Sequence, residues 1–321
     1  MKKISIYYLP FRRCHFSELT FYYIKKIRDD LKNLIELNIL TDDYTPFNNN
    51  YDWKPQVQEL KAANIDCNLV QLTTYLSKLE YGIERGSEYS IKLDEDCFIN
   101  DSTWNYFLDN LHLLDNPENL ILSPVLSNGI PSIEYFMEDF FGEEDRQKLE
   151  KTFLKLRFKN IWGSDYAMLN KYTKNSKSWN PEEYYDHVSK LPYYYRGIHP
   201  VRLSKESQLL LMDLVLKNLD RFNNSGNYSV IDGSGRPYLC NTLFAIKTDR
   251  YKQVIEKIKR KEIFSDGFDE VPINLYRQYN GLKMLFIKNG FAIHTTYNTV
   301  PIFKEELKFY DELKKRLIIK D

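Results

Sequence analysis

Apolar runs alternate with helix-like segments through the first 93 residues of the chain. Short apolar runs predict buried strands, and longer segments with apolar positions every three or four residues predict helices. In order, the pattern predicts a strand at 4–8, a helix at 17–36, a strand at 37–40, a helix at 54–63, a strand at 67–72, a helix at 74–86 and a strand at 89–93. Strands that alternate with helices in this way predict a parallel sheet covered on both faces.

The pattern changes after residue 115. One more strand is predicted at 119–127, followed by a helical, Tyr-rich stretch from about 134 to 225. Strand and helix patterns then return. They predict a strand at 238–248, a helix at 249–261 and, after a loop, a helix at about 271–279. Two strands and a final charged helix follow. We therefore expect an α/β fold in three regions. Two sheet halves are predicted at 1–130 and 238–321, and between them a helical insertion at 131–237, which we expect to bind the acceptor.

Composition excludes several classes of protein. The 321 residues include 45 Lys and Arg against 45 Asp and Glu, and 43% are hydrophobic, which argues against an acidic tail, a histone-like polycation and a disordered chain. No apolar run is long enough to span a membrane, and the first residues regain charge too soon for a signal peptide, so a cytoplasmic location is expected. The four cysteines have no CxxC spacing, which predicts free buried thiols at Cys14, Cys67, Cys97 and Cys240.

Polar residues follow two of the predicted strands. Thr41, Asp42 and Asp43 come after the second strand, and Asp94 and Asp96 come after the fourth, on either side of a glutamate. Side chains alternate along an extended chain, so the two aspartates of the second group can face one way while Glu95 faces the other. Paired carboxylates suit Mg²⁺ or Mn²⁺, which usually keep water ligands and bind substrate phosphates.

The segment LSKLEYGIERGSEYSIKLDED resembles the stretch that leads into the DxD motif of GT-A glycosyltransferases, particularly those like family 2. This resemblance implies a Rossmann-like GT-A fold and a nucleotide-sugar donor, with a UDP-sugar as the first choice. It implies that Asp94 and Asp96 hold Mn²⁺ or Mg²⁺ on the donor diphosphate. By the same resemblance, Thr41, Asp42 and Asp43 contact the base and ribose of the donor.

The resemblance extends to residues 238–298, where a strand and a helix lead to the loop GFDE. It places Glu270 in the position of the general base, with Asp269 as the competing choice because the chain has Asp-Glu-Val where Glu-Asp is common. It also places His294 near the metal or the diphosphate. A carboxylate base implies direct displacement with inversion at the anomeric carbon, whereas its absence would favour a retaining mechanism.

Two classes of acceptor are considered, a glycan and a hydroxymethylated base in phage-type DNA. The second is motivated by nine basic residues against two acidic ones between Arg146 and Lys177. Aromatic residues lie among and just after them, namely Phe153, Phe158, Trp162, Tyr166, Tyr172 and Trp179.

Two other functions compete with glycosyl transfer. A non-catalytic module that binds nucleotide sugars or proteins would keep the sheet without the chemistry. A nucleotidyltransferase shares paired aspartates, but we would expect a phosphate-binding glycine loop after its first strand, and YLPFRRCHF contains no glycine.

Overall fold

The computed structural model describes residues 3–11, 13–42, 51–155, 172, 175–190, 199–236, 238–265, 269–295 and 302–318. Within these residues, nine strands form one sheet. The strands are β1 (Ile4–Leu9), β2 (Ile35–Asp42), β3 (Asp66–Leu72), β4 (Tyr89–Asp94), β5 (Cys97–Ile99), β6 (Asn119–Leu126), β7 (Ser229–Asp232), β8 (Leu243–Lys247) and β9 (Lys283–His294).

The order of strands across the sheet is β3-β2-β1-β4-β8-β6-β9-β5, and β7 pairs with β9. Strands β1, β2, β3 and β4 pair in parallel, as do β6 and β9. Strand β8 lies antiparallel between β4 and β6, and β5 and β7 are antiparallel to β9. Six of the nine described strands therefore run in one direction, which confirms the mostly parallel sheet.

Helices flank the sheet. Over the described residues they are α1 (Ser17–Ile24), α2 (Asp29–Lys32), α3 (Lys54–Ala62), α4 (Tyr75–Glu84), α5 (Asp101–Asp109), α6 (Ile133–Phe140), α7 (Glu143–Lys155), α8 (Pro181–Ser189), α9 (Pro200–Leu203), α10 (Lys205–Lys217), α11 (Leu219–Asn223), α12 (Thr248–Lys259), α13 (Glu270–Tyr279) and α14 (Phe303–Leu317). This mixed α/β arrangement is consistent with the Rossmann-like glycosyltransferase fold that the resemblance implied. No described helix combines the length and the apolar character needed to cross a bilayer.

Several predicted boundaries are wrong because tertiary contacts override the local pattern. The two strands predicted after the helix at about 271–279 form the single strand β9. The helix predicted over 17–36 ends at Ile24, and after the short helix α2 the strand β2 begins at Ile35, where it pairs with Ile4 of β1. The strand predicted from residue 238 begins at Leu243. The backbone amides of Leu239 and Cys240 bond outside the sheet instead, so this segment cannot extend the ladder.

The region 131–237 is largely helical in its described part and has a polar centre. The carboxylate of Glu134 is buried and accepts hydrogen bonds from Trp179 Nε1 at 3.2 Å and from His199 Nε2 at 2.9 Å. Phe153 and Tyr184 pack against the His199 ring. Strand β7 also belongs to this region, so the insertion adds one strand to the sheet through its pairing with β9.

The four cysteines are free and buried, as predicted. Burial raises the pKa of Cys97 well above its usual value and that of Cys67 to about 12, so these thiols stay protonated at neutral pH.

Helix α4 lies against β1 through Gly82. A Cβ atom at this position would lie 1.9 Å from Cε1 of Tyr7, whose ring is fully buried and whose hydroxyl bonds Ser90 Oγ at 2.9 Å. Alanine normally favours a helix over glycine by about 1 kcal/mol. We nevertheless expect Gly82→Ala to lower the free energy of unfolding by about 1–3 kcal/mol, because the Tyr7 ring has no room to move.

Urea unfolding checks this prediction, with Gly226→Ala as the control. No atom lies within 4 Å of a Cβ at Gly226, so this variant should stay within about 0.5 kcal/mol of the parent protein. Equal stability of the two variants would contradict the contact between α4 and β1.

Candidate active site

One edge of the sheet gathers the predicted acidic residues. Strand β4 ends there with Asp94, and β9 ends there with His294. Because β8 is antiparallel to β4, it brings its amino end to the same edge, and the amide of Asp94 donates to the Thr242 carbonyl at 3.0 Å. The edge therefore combines the carboxyl ends of parallel strands with the start of an antiparallel one.

Asp96 and His294 are in direct contact. The Nε2 atom of His294 lies 3.1 Å from Asp96 Oδ1, and Nδ1 lies 2.5 Å from the side-chain oxygen of Asn128. Both ring nitrogens of His294 therefore lie within hydrogen-bond distance of an oxygen, so Asn128 and Asp96 fix the orientation of the ring from opposite sides. The structure thus brings together two residues that lie 198 positions apart in the chain.

Glu95 lies with Asp96 in the turn between β4 and β5, not in the extended chain for which alternating side chains were predicted. Its carboxylate accepts hydrogen bonds from the amides of Phe11 at 2.7 Å and Arg13 at 2.9 Å, so it holds the loop after β1. The Arg13 guanidinium pairs with Glu306 at 2.7 Å and lies 4.0 Å from Asp96. Arg13 thereby links the C-terminal helix α14 to the aspartate edge.

Asp94 is held by a buried lysine that sequence reasoning missed. The ammonium of Lys92 donates to Asp94 Oδ1 at 2.7 Å and to the Asn241 carbonyl at 2.8 Å. Burial opposes the charge on Lys92, but the nearby carboxylates of Asp94 and Asp269 raise its pKa above the usual value. Burial raises the pKa of Asp94 to about 6, against the opposing effect of Lys92.

Asn241 connects the two acidic groups of the sequence. Its carbonyl accepts from Lys92, its side-chain Nδ2 donates to Asp269 Oδ1 at 2.6 Å, and its backbone amide lies 3.4 Å from Glu270 Oε2. A continuous set of hydrogen bonds therefore runs from Asp94 to the start of α13. Sequence reasoning missed Asn241 because it looked for polar residues after strands, and Asn241 precedes one.

Asp269 is fully buried and saturated with donors. Its carboxylate accepts from the Tyr75 hydroxyl at 2.7 Å, from Asn241 and from the Tyr251 hydroxyl. Burial and the charge of Asp269 raise the pKa of both tyrosines well above the usual value, so they remain donors. Glu270 is only partly buried. Of the two candidates, Glu270 is thus the carboxylate with access to a substrate.

The residues predicted to hold the base and ribose lie at the end of β2. Thr41 is buried and donates to the Val70 carbonyl at 3.3 Å. Asp42 is fully buried and pairs with Lys78 of α4 at 2.7 Å. Asp43 lies outside the described residues. Their role in donor binding stays a prediction.

Part of the predicted DNA-binding segment also lies outside the described residues, including Phe158, Trp162 and Tyr166. Of the aromatic residues that are described, Phe153, Tyr172 and Trp179 are buried, and Trp179 packs against the other two. These three rings fill the core of the insertion, so they do not provide a surface on which DNA bases could stack.

The described side chains suit a cation that is bound partly by the protein and partly by a substrate. They do not suit a cation that is bound by protein ligands alone. Among the described residues, no group of three His, Cys, Asp or Glu side chains surrounds a single point. Asp96 and His294 nonetheless present an oxygen and a nitrogen side by side, and Asp94 lies on the same edge. Mg²⁺ and Mn²⁺ sites that are completed by water and phosphate need no more protein ligands than these.

Comparison with known proteins yields distant structural neighbours. No protein-family model matches the chain, and no curated protein matches its sequence. The mannosyltransferase PcManGT from Pyrobaculum calidifontis, solved with GDP-Man and Mn²⁺, has 10% identity and a TM-score of 0.45 over 99% of this chain and 66% of its own. Residues 1–349 of TarS from S. aureus have 17% identity and a TM-score of 0.30 over 67% of this chain and 56% of theirs.

The chain thus spans no more than about two thirds of either neighbour. Likenesses at this level do not assign an activity, so the function has to be inferred from the side chains of the site.

The adjacent acids Asp269 and Glu270 should differ sharply in their effect on stability. We expect Asp269→Asn to lower the free energy of unfolding by about 2–4 kcal/mol, because an amide cannot accept from all three donors and a buried hydroxyl loses its partner. The matched variant Glu270→Gln should change it by no more than about 0.5 kcal/mol. Urea unfolding measures both, and equal losses would show that Glu270 is also a structural residue.

Proposed function

We propose that this protein is a metal-dependent glycosyltransferase that moves a sugar from a nucleoside diphosphate donor to an acceptor hydroxyl. The observation that carries the proposal is the set of hydrogen bonds through Lys92 and Asn241, which joins Asp94 to the start of α13 at one sheet edge. Transfer of a glycosyl group needs two groups close together, one for the leaving diphosphate and one for the attacking hydroxyl. We propose that Asp94 and Glu270, which these hydrogen bonds connect, serve the two roles.

Asp96 and His294, with Asp94 on the same edge, would hold Mn²⁺ or Mg²⁺ together with water and the phosphates of the donor. When bound, such a cation stabilises the negative charge that develops on a leaving phosphate. The buried Lys92 orients Asp94 toward this position, and Asn128 orients the ring of His294. Thr41, Asp42 and Asp43 are proposed to contact the base and ribose, with a UDP-sugar as the first candidate donor.

Glu270 would act as the general base. In the displacement, the acceptor oxygen bonds to the anomeric carbon, the bond from that carbon to the diphosphate oxygen breaks, and the acceptor proton moves to a Glu270 oxygen. Attack from the side opposite the diphosphate inverts the configuration. Asn241 supports the base from its backbone amide and fixes the neighbouring Asp269 through its side chain.

Metal-dependent donor binding tests the aspartate edge. We expect Mn²⁺ with one of a panel of UDP-, GDP-, CMP- and dTDP-sugars to stabilise the parent protein by about 2.7 kcal/mol at 100 times the dissociation constant. Asp94→Asn and Asp96→Asn should lose this effect and the transfer or hydrolysis of the donor. The control is Asp213→Asn, on the exposed face of α10, which should behave as the parent protein.

The non-catalytic module makes the opposite prediction. It would bind a nucleotide sugar without a metal, show no turnover, and bind equally well after either aspartate substitution. That result would overturn the proposed function.

The role of Glu270 is tested by kinetics. We expect Glu270→Gln to lower kcat by about 10² to 10⁴ with little change in donor affinity, because the amide cannot accept the acceptor proton. Donor binding is read by thermal shift, and the configuration of the product is read by NMR. Retention of configuration, or full activity of the variant, would remove the carboxylate base from the mechanism.

A further inference from the structure

A cleft of about 550 Å³ lies between the insertion and helix α13. Its lining includes Glu182 and Tyr185 of α8, Arg236 from the turn after β7, and Arg277 of α13. Helix α13 begins with Glu270, the proposed base. The cleft lies at the carboxyl end of α13, about two helical turns from Glu270, and none of its residues has a role in the mechanism above.

Arg236 presents a buried guanidinium held by an exposed carboxylate. Its side chain is 10% exposed, whereas the Glu182 side chain that pairs with it at 2.5 Å is 79% exposed. The guanidinium also lies 4.8 Å from the centre of the Tyr185 ring. Because the Glu182 side chain is exposed, it can rotate into solvent without breaking packing contacts. The guanidinium of Arg236 could then bind a carboxylate or phosphate of a ligand.

A second arginine strengthens the positive charge at the cleft. Arg277 is 5% exposed and donates from Nη2 to the Arg236 carbonyl at 3.1 Å, so it fixes the backbone that carries Arg236. The acidic residue Asp186 also lines the cleft, but its carboxylate pairs with Lys190 at 2.6 Å. Glu182 is therefore the carboxylate that a ligand would have to replace.

Tyr185 adds an independent sign of a ligand. Its side chain is 2% exposed, and its hydroxyl makes no hydrogen bond with the part of the chain that the structure describes. A buried hydroxyl without a partner costs free energy. A ligand oxygen within reach of this hydroxyl would remove that cost.

We propose that this cleft binds an oxyanion, a phosphate ester or a carboxylate, carried by the acceptor. The assignment to the acceptor rests on the proposed function. Arg277 is seven residues from Glu270 on α13, which at the helical rise of 1.5 Å per residue is about 10 Å. The acceptor would therefore carry its charge about two sugar units away from the hydroxyl that reacts.

Calorimetric titration of the full chain without donor tests the site, using inorganic phosphate, glucuronate and glucose as probes. We expect an anionic probe to bind about threefold more tightly to Glu182→Gln, because the competing carboxylate is gone. The control is Glu183→Gln. It removes the same charge from the next residue of α8, and Glu183 does not line the cleft, so this variant should bind the probes as the parent protein does. Arg236→Met should weaken binding about tenfold.

The probes separate the two oxyanions, and glucose reports binding that needs no charge. If only phosphate binds more tightly to the Glu182→Gln variant, the natural ligand carries a phosphate ester. If only glucuronate does so, the natural ligand carries a carboxylate. Equal affinities of the Glu182→Gln and Glu183→Gln variants, or an unchanged affinity in Arg236→Met with its fold intact by circular dichroism, would overturn the site.

Failure of the site and failure of the proposed function are distinguishable. If the anionic probe follows the expected variant pattern while no donor is turned over, the oxyanion site stands and the glycosyltransferase proposal fails. Sugar transfer can also occur with equal efficiency on neutral and anionic acceptors and without any effect of Glu182→Gln. In that case the glycosyltransferase proposal stands and the oxyanion site fails.

Discussion

A single buried ammonium group connects the parts of the candidate site. Removing a charge from water costs several kcal/mol unless other groups replace the water, and here the carboxylate of Asp94 and the carbonyl of Asn241 do so for Lys92. Lys92 lies on the central strand β4, and Asn241 precedes β8. Satisfying this charge therefore fixes the two strands relative to one another at the edge that holds the candidate site. The position of the proposed base then follows, since Asn241 also contacts both acidic residues at the start of α13.

Four acidic residues of the site fall into two groups according to how fully their oxygens are used. Glu95 and Asp269 are buried and bonded to donors of the protein itself, so they maintain the structure around the site. Asp94 and Glu270 are partly exposed and keep bonding capacity for other ligands. Neighbouring residues in the chain thus have different roles, because the turn after β4 and the start of α13 each place one carboxylate against donors of the protein and leave the other partly exposed.

The insertion has an aromatic interior and a charged surface next to α13. Its described aromatic residues surround the buried pair of Glu134 and His199, so they stabilise the insertion itself. What the insertion offers to a substrate is the face of α8 opposite α13, where Glu182 covers the guanidinium of Arg236. This is a polar, charged face, which suits a hydrophilic acceptor better than a stack of nucleic acid bases.

The sequence by itself determined the class of fold and the edge at which to look. Alternating strand and helix patterns predicted the parallel half of the sheet, and acidic residues directly after strands predicted Asp94 and Asp96, because both signals depend on local periodicity. Tertiary structure alone decided which groups meet. The contacts of Asp96 with His294, of Lys92 with Asn241, and of Arg236 with Glu182 join residues far apart in the chain. Such contacts depend on the order of the strands across the sheet and on how the helices pack against it, and local patterns of hydrophobic and polar residues do not specify either.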